Sequence, residues 1–108
     1  MTNLDPPLGP CPTWCEKPAH HDWEDEWLNG PVRVHIWART VAGNGHVQGD
    51  QIRIEEAEQH TGDGVVRRRT IVVDVEAPTE WDLDTATRAR EVLGDAITLA
   101  AAEGADAR

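Results

Sequence analysis

From Pro31 to Thr40 the chain alternates. Val32, Val34, Ile36 and Ala38 fall on one side of an extended backbone, and Arg33, His35, Trp37 and Arg39 on the other. That period of two predicts a strand. Gly43, Asn44 and Gly45 accept positive φ and predict a turn. A second strand is expected from Gln51 to Glu58, with Ile52 and Ile54 on one face. The run Thr61-Gly62-Asp63-Gly64 is a second turn signal, and it leads into a third strand over 65–77, centred on Ile71, Val73 and Val75. Turns this short imply an antiparallel meander. After Pro78 the period lengthens to three and four, with Ala89, Val92, Leu93, Ala96, Ile97 and Ala100 forming the stripe of an amphipathic helix. Asp84 or Thr85 would cap its start and Gly104 suits its end. Gly94 inside it costs ~1 kcal/mol relative to Ala, for which close packing would be a reason.

A helical stripe must be buried, and the apolar face of the meander is the only large partner for it. If that face is Val32, Val34 and Ile36, then His35 and Trp37 look out from the opposite side. Residues 11–30 have neither a helical nor a strand period and are rich in Trp, His, Pro and acid. They are expected to cover that second face as a loop. The expected class is α+β: a three-stranded antiparallel meander, a C-terminal helix on one face, and an N-terminal zinc-knuckle-like loop on the other. Residues 1–10, with three prolines, form an irregular lead-in, 11–104 a single domain, and 105–108 a frayed tail.

Charge narrows the function. Asp and Glu total 20 against 10 Lys and Arg, a formal net charge of -10. Such a surface repels phosphate, which disfavours general nucleic-acid binding and anionic membranes. No run approaches the roughly 20 apolar residues of a membrane span, and the N-terminus lacks the regions of a signal peptide, so a cytoplasmic location is expected. Nine of the ten cations are Arg, Ala and Gly are plentiful, and Phe and Tyr are absent. That bias is expected of GC-rich coding, as in a GC-rich bacterium or its phage. A chain of 108 residues hides a smaller fraction of its surface than a larger domain does, so it benefits from a staple.

Cys11, Cys15, His20, His21 and His35 supply a candidate for one. Two thiolates two to four residues apart can reach one tetrahedral zinc ion, and Cys11-x3-Cys15 has that spacing. Adjacent side chains on extended backbone diverge, so one of His20 and His21 would be the third ligand. His35, on the face assigned to the loop, is the candidate fourth. Ordinary reduced thiols with surface histidines, or a short disulfide, are the competing readings.

The opening Cys11-Pro12-Thr13-Trp14-Cys15, followed by His20 or His21 and by a strand carrying His35, resembles a family of short uncharacterised actinobacterial and actinophage proteins that open Cys-Pro-x-Trp-Cys. The resemblance spans Cys11 to about Ala102, and only the opening motif is specific. It implies zinc held by Cys11, Cys15, His20 or His21, and His35. Two adjacent histidines, and a slightly longer gap before them, depart from the family pattern. The resemblance implies no activity.

Five tryptophans in a chain without Phe or Tyr are candidates for core and for partner contact alike. Trp14 and Trp37 are expected in the loop–sheet core. Trp23 and Trp27, four apart on a helical turn among acids, are the candidate partner-binding residues. The acidic run from His21 to Trp27 reads as a solvated face, and Arg67, Arg68 and Arg69 as edge charges that discourage strand pairing. No phosphate loop, nucleophile elbow or supported carboxylate pair points to catalysis. The function expected is a zinc-stapled module binding an as yet unspecified protein. The alternatives are an acidic decoy of a nucleic-acid-binding surface and a small zinc hydrolase.

Overall fold

The structure, a computed structural model, describes residues 6–42, 49–76 and 80–102. It is α+β, with four antiparallel strands in one open sheet and one helix packed on it. The strands are β1 (Asp25–Trp27), β2 (Gly30–Ala42), β3 (Asp50–Thr61) and β4 (Gly64–Asp74), in spatial order β1-β2-β3-β4, followed by α1 (Leu83–Ala101). The three expected strands are present; β2 and β3 are longer than their sequence patterns indicated, while β4 stops at Asp74, short of the expected 65–77, and leaves Val75 outside the sheet. The turn expected at Gly43–Gly45, Gly104 and the tail 105–108 lie outside the described residues, and α1 already ends at Ala101 with Ala102 as its C-cap, before the Gly104 expected to end it.

The fourth strand, β1, was not expected. It is three residues long and wholly exposed, so it has no alternation to detect. It forms because Gly30, at φ 140, closes a two-residue hairpin that pairs Trp27 with Gly30 and Asp25 with Val32. A Cβ at Gly30 would collide with the carbonyl of His60, so a side chain is excluded there on two grounds. Trp23 and Trp27 therefore do not share a helical face. The second hairpin, at Gly62-Asp63, is as the sequence indicated, with Thr61 opposite Gly64.

The layer order also differs from expectation. Register sets Trp37 opposite Ile54, and Ile54 opposite Ile71. The helix buries Ala89, Val92 and Ala96 against Trp37, Ile52 and Ile54, not against Val32, Val34 and Ile36. Cys11, Trp14 and Cys15 join the same cluster, so helix and loop share one face of the sheet. The reason is area: Trp37 with three strand isoleucines removes more apolar surface from water than the aliphatic side of β2, which finds Gln59, Glu55 and Ala57 beside it on β3. Val34 and Ile36 are half-buried on the other face, which no element covers among the described residues.

Local details fix the helix. Its N-cap is Asp82, two or three residues before the expected position, and its carboxylate accepts the Thr85 N–H at 2.8 Å. At the far end Arg69 donates to the Ala100 carbonyl at 2.7 Å while lying over the Trp14 ring. Asp50 ties the β4–α1 connection to β3, accepting from Glu76 N–H and from the Trp81 indole. Ile97, expected in the stripe, is exposed, and a Cβ at Gly94 would meet nothing within 4 Å. Close packing does not explain Gly94, and nothing in the structure does.

Candidate metal centre

Cys11, Cys15, His21 and His35 converge, with one ligand atom from each lying within 4.8 Å of all the others. The loop positions three of them. A turn closed by Cys15 N–H donating to the Pro12 carbonyl at 3.0 Å brings the second thiol back beside the first. Glu16 N–H then donates to the Ile36 carbonyl, so the loop docks on the free edge of β2. A second turn, His21 N–H to the Pro18 carbonyl, puts His20 at φ 63. This left-handed residue swings its own ring into solvent and sends the next ring inward. Of the adjacent pair, His21 belongs to the cluster and His20 does not. His35 comes from β2 on the covered face and is fully buried.

The distances suit one small ion. With Zn–S near 2.3 Å and Zn–N near 2.0–2.1 Å, a tetrahedron has an N–N edge of about 3.3 Å, an S–N edge of about 3.6 Å and an S–S edge of about 3.8 Å. His21 Nε2 lies 3.2 Å from His35 Nδ1 and 3.7 Å from Cys15 Sγ. Closing the widest separation onto an ion asks for about 1 Å of movement. An N–H···N hydrogen bond between the two rings would have the same length. The thiol against the same Nε2 adds a third atom able to bind a metal to the histidine pair. Both cysteines are free and buried, so the disulfide alternative is not the state here.

Each ring has a carboxylate behind it. His35 Nε2 is 2.8 Å from Glu58 Oε1, and Arg33 Nε donates to the same oxygen at 3.0 Å. Arg33 also donates to the Gly9 and His21 carbonyls and approaches Cys11 Sγ at 3.8 Å, so one buried guanidinium joins the sheet to both ends of the loop. Burial alone would push the Glu58 carboxyl up, but the hydrogen bond to His35 and the charges of Arg67 and Arg33 outweigh it and hold it down. His21 Nδ1 lies 3.0 Å from Glu24 Oε2, a close contact in an approach too bent for a hydrogen bond. Burial pushes the His21 ring below its ordinary value, against the pull of Glu24. Carboxylates placed this way orient metal-bound histidines and set their tautomers.

Neither Glu58, Glu24 nor Arg33 was singled out from the sequence. Arg33 and His35 are two apart on one strand, so they share the buried face; an Arg there needs an acid partner, and that was the available signal. Arg67 and Arg69 do more than guard an edge, since both pair with the buried Glu56, while Arg68 lies on the open face. Trp14 and Trp37 are buried as expected. Trp23 is half-buried, donating to the Pro6 carbonyl. Trp27 is 47% exposed and walls a groove of about 340 Å³ on the open face with Val34, Glu55, Ala57, Arg68 and Thr70. No helix of the described residues is long and apolar enough to cross a membrane.

These four side chains can hold a metal ion. No family model matches the chain, and no curated protein or solved structure matches it at the level that marks relationship.

Proposed function

We propose that the chain is a zinc-stapled protein-interaction module. The observation that carries this reading is the buried Cys11, Cys15, His21, His35 cluster. Two thiolates and two imidazoles make a donor set suited to Zn²⁺, and four protein ligands fill its tetrahedron. No coordination position is left for a substrate or an attacking water, so the zinc is structural. Its role is to fasten residues 11–24, which have little regular structure of their own, to the sheet that Arg33 and Glu58 also grip. The resemblance of the Cys-Pro-x-Trp-Cys opening to small actinobacterial and phage proteins agrees with this.

The binding surface in this reading is the open sheet face, with Trp27 as its anchor. An exposed Trp beside half-buried Val34 and Ala57, rimmed by Glu55 and Arg68, has the makings of a contact hot spot. The partner is a protein; with the net charge of -10, duplex nucleic acid is not a candidate.

Cobalt substitution tests the centre. Co²⁺ in place of zinc should give the visible absorption of a four-coordinate ion with thiolate charge-transfer bands, and the spectrum should not change on adding small anions. Six-coordinate cobalt, or an anion-sensitive spectrum, would reject a closed structural site. Capture of a partner by the parent chain should be lost in Trp27→Ala and should depend weakly on salt. A steep loss of capture with salt, unaffected by Trp27→Ala, would favour the acidic decoy instead.

A further inference from the structure

The two histidines of the cluster differ in what stands behind them. His35 Nε2 faces Glu58, a carboxylate embedded in the sheet, and must carry the proton that the carboxylate accepts. In the neutral ring its Nδ1 is then a lone pair. His21 Nε2, 3.2 Å away, can face that lone pair without an ion only by bearing a proton itself. This leaves His21 Nδ1 bare, 3.0 Å from a Glu24 oxygen, where it is buried without a hydrogen bond. A cation between the rings reverses the assignment. Both facing nitrogens then give their lone pairs to the ion, the His21 proton moves to Nδ1, and a repulsive lone-pair contact with Glu24 becomes an electrostatic attraction between an N–H and a carboxylate 3.0 Å away.

Glu24 has further attachments, and the Oε2 that faces His21 also accepts from Lys17 Nζ at 2.9 Å. Its Oε1 accepts the Val34 N–H at 2.7 Å, and its own N–H donates to the Val32 carbonyl at 2.8 Å. It is the last residue before β1, whose three residues have few other ties to the sheet and end at Trp27. We infer that Glu24 is a positioning residue through which metal occupancy, by setting the His21 tautomer, docks β1 on the edge of β2 and presents Trp27. This inference rests on the metal reading of Cys11, Cys15, His21 and His35. It makes the face that carries Trp27 responsive to metal although no ligand lies on it.

The test uses the full chain with zinc added and with zinc removed by a chelator. Long-range ¹H–¹⁵N correlations of the imidazoles should show His21 protonated at Nδ1 with zinc and at Nε2 without it. Exchange of the Val34 amide and of the β1 amides should slow by about tenfold or more on zinc binding, the size expected for a hydrogen bond to a charged group. In Glu24→Gln the amide oxygen still accepts from Val34, but its nitrogen cannot serve His21. That variant should still bind one zinc, with affinity lower by roughly 10–100-fold, and its zinc-free form should melt with the zinc-free parent. A zinc affinity equal to the parent's, or β1 exchange indifferent to zinc while one ion is bound, would overturn the role of Glu24 and leave the metal centre standing. A parent that binds no zinc overturns both.

Discussion

His35 Nε2 and Glu58 Oε1 lie 2.8 Å apart in the covered face of the sheet, both fully buried, and that contact decides which nitrogen of His35 is offered to the cluster. Because Arg33 shares the oxygen, the carboxylate is held by a ring and a guanidinium at once. Glu58→Gln keeps the shape and removes the charge. It leaves Arg33 buried without its acid, so the domain should lose ~3 kcal/mol or more of stability, and zinc affinity should fall by roughly 10–100-fold. Urea unfolding and a competition titration against a chromophoric chelator measure the two effects; an unchanged urea midpoint would count against the network.

Acid should act on the same groups. Burial holds the His21 ring below its ordinary 6.5, so the folded state binds fewer protons there than the unfolded chain. That contribution is complete above pH 6.5 and is lost as pH falls. Glu58 is held below its ordinary 4.5, so its contribution is present above that value and disappears as pH drops through the folded-state pKa. Protons also compete with zinc for thiolate and imidazole, in the same direction. The urea midpoint should therefore decrease monotonically from about pH 7 to about pH 4. A midpoint that rises over any part of that interval would show that other groups dominate.

His20 and His21 should separate cleanly. His20 sits in the left-handed region with an exposed ring, where Gly is free of the strain a side chain incurs, ~1 kcal/mol or more. His20→Gly should retain zinc and be at least as stable as the parent. His21→Ala should lose most of its zinc affinity. Equal effects of the two substitutions would mean that the loop does not hold the conformation described.

Gly94 is an exposed helix-interior glycine with open space where a Cβ would stand. Gly94→Ala should stabilise the domain by ~1 kcal/mol, raising the melting temperature by about 4–8 °C. A lower melting temperature would mean that the glycine serves a contact outside this chain.

How far the sequence reached can be seen at Trp37 and Ile54. Alternation located β2 and β3 and grouped His35 with Trp37, and Cys spacing singled out the two thiols of the cluster, because each of these is a local signal. Register is not local. Whether Ile54 stands opposite Trp37 or on the face of Val34 depends on a connection and a bulge between Thr40 and Ala42 that the pattern does not encode, and a slip of one residue reverses every face. The helix was therefore assigned to the wrong side, although its stripe was read nearly correctly. β1 escaped because three exposed residues carry no periodicity, and its place follows from Glu24 and Gly30. The choice between His20 and His21 turned on one backbone angle. Glu58 and Glu24 were invisible as supports because an acid reads as solvated until a strand 23 residues away, or a loop, turns it toward a ring.

The central claim is that Cys11, Cys15, His21 and His35 hold one zinc ion, and elemental analysis of protein purified without chelator tests it most directly. The parent and His20→Gly should contain about one zinc per chain, while Cys11→Ser and Cys15→Ser should contain essentially none, as fits a site whose two thiolates are indispensable. Parent protein with no zinc, or a Cys11→Ser variant with as much zinc as the parent, would contradict it.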